Sequence, residues 1–193
     1  MLIQENVVSL RLVMNDFTAE LDKLHRLTGA EFSRQVERIV LRKEFHPLET
    51  DENIFSVGGQ RSDDYPNLLM AARKAVELGY KVYMLPNPTE IRTPDFILVR
   101  KKSYRLYDLK TVFGKASVAN SLMESIGQCN RILLNLTIVY NTRSLAFAIN
   151  RYFEANPKAI EVLIFKGHKQ VSVNRSMATK ADFLLTFKRL YER

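Results

Sequence analysis

Residues 77–112 decide the fold. The runs ELGYKVYMLP (77–86), TPDFILVR (93–100) and YRLYDLKTV (104–112) read as three short strands in succession. In the third, alternate side chains point to opposite faces. Tyr104, Leu106, Asp108, Lys110 and Val112 share one face, and Arg105, Tyr107, Leu109 and Thr111 the other. Asp108 and Lys110 therefore interrupt an otherwise apolar or aromatic face. Charges at such places cost free energy unless they are paired or bind a metal, and local rules tend to be broken at functional sites.

Pro94-Asp95 gives that pair a context. If residues 95–100 and 104–110 form a hairpin, Lys101-Lys102-Ser103 is its turn. Asp95 then lies at the open end, opposite the region of Asp108 to Lys110. Two carboxylates there suit a hard divalent cation such as Mg²⁺ or Mn²⁺, held through oxygen. A lysine ammonium beside them suits orientation of a water or stabilisation of a developing phosphorane charge. The chemistry these groups point to is metal-assisted phosphodiester hydrolysis. The bland reading is a solvated Asp/Lys pair on an edge strand.

The order helix, strand, strand with Pro-Asp, strand with Asp-x-Lys, helix, strand resembles the core of the PD-(D/E)XK nuclease superfamily. Within it, the chain is similar to the tRNA-nuclease domains at the C-termini of CdiA-type contact-dependent inhibition toxins and to relatives in mobile elements. The resemblance covers roughly residues 60–140. It implies a restriction-endonuclease-like mixed sheet flanked by helices. It also implies that Asp95 and Asp108 are metal ligands and that Lys110 is the catalytic lysine. An acidic residue on the first core helix and a Gln on the second, which the family often or sometimes adds, fall on Asp64 and Gln128. The tyrosine that some members place four residues after that Gln is absent, since position 132 is Ile. The implied partners are tRNA or DNA and, for a toxin-like or element-borne protein, a cognate immunity or element-encoded protein.

The flanking chain completes the plan. Apolar residues at helical spacing (Leu10, Val13, Met14, Phe17, Leu21, Leu24) predict a helix within 8–27, and Phe32, Val36, Ile39 and Val40 a second from Ala30 to about Lys43. These form a helical N-terminal extension (1–50) ahead of an α/β domain (51–193). Ile54 to Val57 reads as a short strand. A helix begins near Tyr65-Pro66, because Pro suits the first turn, and runs to Gly79. Asp64 is either its N-cap or a carboxylate aimed at the site. A further helix is expected from Ser117 to Asn130, with Glu124 and Gln128 on one face and Cys129 as a small core residue. Strands follow at 131–140, 159–165 and 169–173, and helices at 142–155 and 178–191.

Composition agrees with a soluble nucleic-acid-processing protein. The 193 residues are 46% hydrophobic and 26% charged, and 29 basic against 21 acidic residues give a net charge of +8. Such an excess favours a polyanionic partner. The basic residues are dense after position 158, and Lys166, His168, Lys169 and Arg175 gather near one hairpin, a candidate phosphate-contacting patch. No apolar run is long enough to span a membrane. The N-terminus lacks the pattern of a signal peptide, and with a single Cys there is no internal disulfide. A bacterial cytoplasm is the expected home. Two other functions fit the same residues: a metal-independent ribonuclease using His168 as acid or base, and a non-catalytic nucleic-acid-binding module with a nuclease-like fold.

Overall fold

A computed structural model describes residues 17, 19–21, 23, 24, 27, 29–58, 63–87, 93–114 and 117–193. Eight strands form one mixed sheet in sequence order: β1 (His46–Leu48), β2 (Asp51–Ser56), β3 (Lys81–Met84), β4 (Phe96–Arg100), β5 (Ser103–Val112), β6 (Arg131–Leu136), β7 (Glu161–Lys166) and β8 (Lys169–Asn174). Pairs β2–β3, β5–β6 and β6–β7 are parallel, and the others antiparallel. The parallel pairs need crossovers, and helices supply them. These are α2 (Tyr65–Glu77) between β2 and β3, α3 (Ser117–Glu124) between β5 and β6, and α4 (Thr142–Ala155) between β6 and β7. Helix α1 (Gly29–Val40) precedes the sheet, and α5 (Arg175–Ala178) and α6 (Phe183–Glu192) follow it.

The two sheet faces are covered differently. Among the described residues, helix α2 alone packs on one. Its Ala71, Ala72 and Ala75 are fully buried, and small side chains let the helix lie close to Ile54, Val82, Leu98, Tyr107 and Leu133. The other face carries two separate clusters. Phe17, Leu21, Leu24, Val36 and Ile39 from the N-terminal helical segment cover Ile97 and Leu106. Leu122, Leu145, Ile149, Phe153 and Phe187 from α3, α4 and α6 cover Val112, Ile132, Leu134 and Ile164. The seam between these clusters crosses β5. Leu106 belongs to one cluster and Val112 to the other, so Asp108 and Lys110, which share their face, fall in the gap.

Several expectations need correction. The turn of the central hairpin is two residues, not three: Ser103 already pairs with Arg100. Lys101 and Lys102 both hold positive φ, 48° and 61°, the type I′ geometry whose twist matches the flanking strands. The sheet starts at His46, ahead of residue 51, because His46 and Pro47 pair with Ser56 and Phe55. Pro47 is tolerated there because β1 is an edge strand. The helix expected from Ser117 to Asn130 stops at Glu124. Ser125 turns its hydroxyl onto the Leu122 carbonyl at 2.7 Å, and Gly127 takes a left-handed φ of 87° that ends regular winding. The C-terminal helix expected from 178 starts only at Phe183, and Ala178 instead ends the separate short helix α5. The helix expected over 8–27 falls largely on residues 1–16, outside the described ones; Phe17, Leu21 and Leu24 are helical and buried.

Candidate active site

Strand β5 changes partners at its middle. Its first half, Ser103–Tyr107, pairs with β4, and its second half, Asp108–Val112, pairs with β6. Beyond Tyr107 the side of β5 that β4 had occupied has no regular strand partner among the described residues. A cleft of about 430 Å³ fills that notch, bordered by Asp64, Asp95, Asp108, Lys110, Thr111 and Gln128 among others.

Asp95 makes the notch. Its N–H donates to the Tyr107 carbonyl at 3.0 Å, although Tyr107 is already the partner of Phe96. Two residues thus oppose one, the arrangement of a bulge, which re-aims a side chain. Pro94 has no N–H to continue the ladder. The Asp95 carboxylate takes over instead: its Oδ2 accepts the Leu109 N–H at 2.7 Å. The side chain is thereby locked against β5, beside Asp108.

Asp108 is buried, 5% exposed, and Lys110 reaches back along the same face to its Oδ2 at 2.8 Å. The Lys110 ammonium also donates to Gln128 Oε1 at 3.0 Å. Two of its three donors are thus spoken for, and the third is left for the cleft. Gln128 acts from the turn after α3, not from a helix face as the sequence suggested, and its Nε2 is steadied by the Glu124 carbonyl at 3.3 Å.

One cation therefore faces two closely placed carboxylates. Burial and the Asp108 charge push the Asp95 carboxyl up from its ordinary 3.8 to about 7, against the pull of the Leu109 N–H and Lys110. Asp64 adds a small further push from across the cleft. It stands at the N-cap position of α2 but makes no side-chain cap bond, so the capping reading is not what the structure displays. Uncompensated negative potential at this point fits a hard cation. Among the described residues there is no group of three or more His, Cys, Asp and Glu side chains able to hold a metal. Mg²⁺ is commonly held by one or two carboxylates, with waters and substrate phosphates completing the shell, so the pair is a sufficient protein donor set.

The basic hairpin lies apart from this cleft. Lys166 donates to the Tyr191 carbonyl at 2.8 Å and sits over the Tyr191 ring, tying α6 to β7. Arg175 donates to the carbonyls of Phe153 (2.9 Å), Ala159 (3.2 Å) and Asn156 at the end of α4. Lys169 bonds the Arg193 carbonyl. His168 is at the turn, its side chain 93% exposed, 3.4 Å from Glu77. The four do not converge on the carboxylates. Cys129 is half-buried with its thiol pushed up to about 11 by burial, as suits a packing residue.

The sequence reading missed Thr111 and Phe113, which border the cleft, and Asn135, which is fully buried on β6. Asn135 had left a signal. It is a polar residue inside the apolar run 132–139, which otherwise reads as a covered strand. The segment 88–92 lies outside the described residues. Asn87 and Thr93 at its two ends border the cleft, and the Thr93 hydroxyl donates to the Pro86 carbonyl at 3.0 Å. Among the described residues, no helix is long and apolar enough to cross a membrane.

No family model matches the sequence, and no curated protein does. A solved structure, the CdiA-CT/CdiI toxin and immunity complex from Burkholderia pseudomallei, is similar over 58% of this chain and 86% of that chain, with 15% identity and a TM-score of 0.42.

Proposed function

We propose that the notch is the active site of a metal-dependent nuclease that hydrolyses phosphodiester bonds of nucleic acid. The observation that carries this reading is the half-buried Asp95 and the buried Asp108, two carboxylates whose charges act on each other beside Lys110, which both Asp108 and Gln128 hold in place. The order of elements supports it: α2, then β3, β4 and β5, then α3 and β6, with Asp95 at the start of β4 and Asp108 and Lys110 on β5. This is the order expected of a PD-(D/E)XK core. The net charge of +8 favours a polyanionic substrate.

Asp95 and Asp108 would hold Mg²⁺ or Mn²⁺, which when bound supplies Lewis-acid polarisation of the scissile phosphate and lowers the pKa of a water. The chain's own groups do the rest. Asp108 and Gln128 hold the Lys110 ammonium so that its remaining donor meets an attacking water or a phosphate oxygen. Asp64 adds a carboxylate from the opposite wall, suited to binding metal-bound water. The net reaction adds one water across the phosphodiester, leaving a phosphomonoester and a hydroxyl.

The test is cleavage of total tRNA and of plasmid DNA by wild type and Lys110→Ala, each with Mg²⁺, Mn²⁺ or EDTA. The expected result is metal-dependent cleavage of at least one substrate, reduced at least about 100-fold in the variant. Cleavage that survives EDTA, or survives Lys110→Ala unchanged, refutes the site.

A further inference from the structure

Thr111 lies one residue beyond Lys110 and points to the opposite face, under α2. Its cross-strand partner on β6 is Asn135. An apolar cluster packs on that face, with Val82, Leu98, Tyr107, Leu133, Leu163 and Phe165 among its members. Lys74 of α2 lowers its ammonium onto this spot and donates to Asn135 Oδ1 at 3.2 Å. Burial shifts the Lys74 pKa down, as for an ammonium drawn partly out of water, with Glu77 the acidic neighbour opposing the shift.

The cluster is chemically incomplete. Asn135 is 1% exposed, and among the described residues its Nδ2 has no hydrogen-bond partner. The Thr111 hydroxyl is likewise buried with no partner among them. Folded proteins leave few such groups, and each calls for a cause. Every atom left over at this place can donate: an ammonium, an amide NH₂ and a hydroxyl. Thr111 also borders the catalytic notch, and so does Asn67, two turns before Lys74 on the same helix. Donors of this kind, with no carboxylate among them, match a phosphate.

We propose that Lys74, Asn135 and Thr111 form a second phosphate subsite, which grips the nucleic-acid backbone one phosphate away from the bond being cleaved. The proposal rests on the nuclease reading for its substrate, not for its anion chemistry. Lys74 is the charged contact. Asn135 is a positioning residue that fixes the ammonium, and Thr111 joins the subsite to the notch. Strand β5 thereby serves both sites, with Lys110 aimed from one face and Thr111 from the other.

The test uses the full chain, with wild type, Lys74→Met, Lys74→Arg and Asn135→Leu, each first shown to unfold cooperatively. Binding of a fluorescent single-stranded oligonucleotide is titrated in EDTA over a range of salt. Lys74→Met is expected to bind about tenfold more weakly and to lose about one unit of salt slope. Lys74→Arg is expected to keep the slope, and Asn135→Leu to weaken binding several-fold. Inorganic phosphate should compete with the oligonucleotide on wild type and not on Lys74→Met. In cleavage with Mg²⁺, the loss in Lys74→Met should fall on KM rather than kcat. Unchanged binding and salt slope in Lys74→Met, with cleavage intact in wild type, overturns the subsite and leaves the nuclease standing. Lys74-dependent binding of oligonucleotide and phosphate, with no cleavage by wild type under any metal, overturns the nuclease and leaves the anion site.

Discussion

Asp95→Asn separates the electrostatics of the notch from its architecture. The substitution removes a charge yet keeps an oxygen that can accept the Leu109 N–H, which Asp95 now binds at 2.7 Å. A carboxyl raised from 3.8 to about 7 on folding corresponds to roughly 4 kcal/mol of cost for carrying the charge. Water entering the open cleft screens part of it, so about 2–4 kcal/mol is expected at pH 8. The sign follows from linkage. The folded state holds this proton more tightly than the unfolded chain, so stability is greatest below pH 4 and is lost as pH rises towards about 7. Asp95→Asn has no such group. In EDTA it should be more stable than wild type by about 2–4 kcal/mol at pH 8, and by under about 1 kcal/mol at pH 4. For a chain of this size that is a rise in Tm on the order of 5–15 °C at pH 8. Urea unfolding at the two pH values measures the difference directly. Mg²⁺ should close most of the gap: at 100 times its Kd it stabilises wild type by about 2.7 kcal/mol and leaves the variant unchanged. An Asp95→Asn protein less stable than wild type in EDTA at pH 8 would refute the reasoning, because the carboxylate would then be a structural asset and not a strained half of a cation site.

Gln128→Ala removes one of the two groups that hold Lys110 while Asp108 keeps the other; kcat should fall roughly tenfold, with the metal requirement unchanged in the same cleavage assay. Glu161→Gln strikes a different buried carboxylate, 5% exposed, which takes hydrogen bonds from Tyr107 (2.9 Å), Ser172 (2.6 Å) and Arg105 (3.2 Å) and faces Arg131 at 3.5 Å. It should cost about 2–4 kcal/mol in urea unfolding while the metal concentration for half-maximal activity stays the same. Replacing Lys101-Lys102 with Asn-Gly relieves two non-glycine residues at positive φ and should raise stability by about 1 kcal/mol, read as a higher urea midpoint at constant slope.

Where the sequence was legible, one local rule governed the element. The hairpin of β4 and β5, helix α2 starting at Tyr65-Pro66, and helix α4 over Thr142–Ala155 all follow from periodicity and a capping or turn residue close by. Asn141, for instance, accepts the Ser144 N–H at 3.0 Å and starts α4 where expected. Asp108 and Lys110 stood out because each breaks the pattern of an apolar strand, and Asp95 because it lies at the open end of the hairpin; the structure brings them to one cleft with Asp64 and Gln128. What stayed hidden depended on tertiary pairing. Helical spacing continues past Glu124, and only the Ser125 hydroxyl and the left-handed Gly127 stop it. Lys166 and Arg175 look like a phosphate patch by composition, but the carbonyls they bind come from helix ends that composition does not place nearby. Asn135 was visible as an oddity, but its partner Lys74 lies 61 residues away.

The site and the fold share one cause. Pro94 cannot extend the β4 ladder, and the bulge at Asp95 ends it one residue later than regular pairing would. Strand β5 runs on for five more residues with β6 alone, so its far edge opens into the cleft. That edge would be left with an unpaired N–H at Leu109, and the Asp95 carboxylate satisfies it. The residue that seals the ladder is therefore held beside Asp108, at the seam between the two helical clusters. Filling that seam with apolar side chains would stabilise the sheet and exclude water. Placing two carboxylates and a lysine there instead concentrates negative potential at an opening wide enough for a phosphate group. A chain gains nothing in stability from that exchange, which is the physical argument behind the proposed cation and anionic substrate.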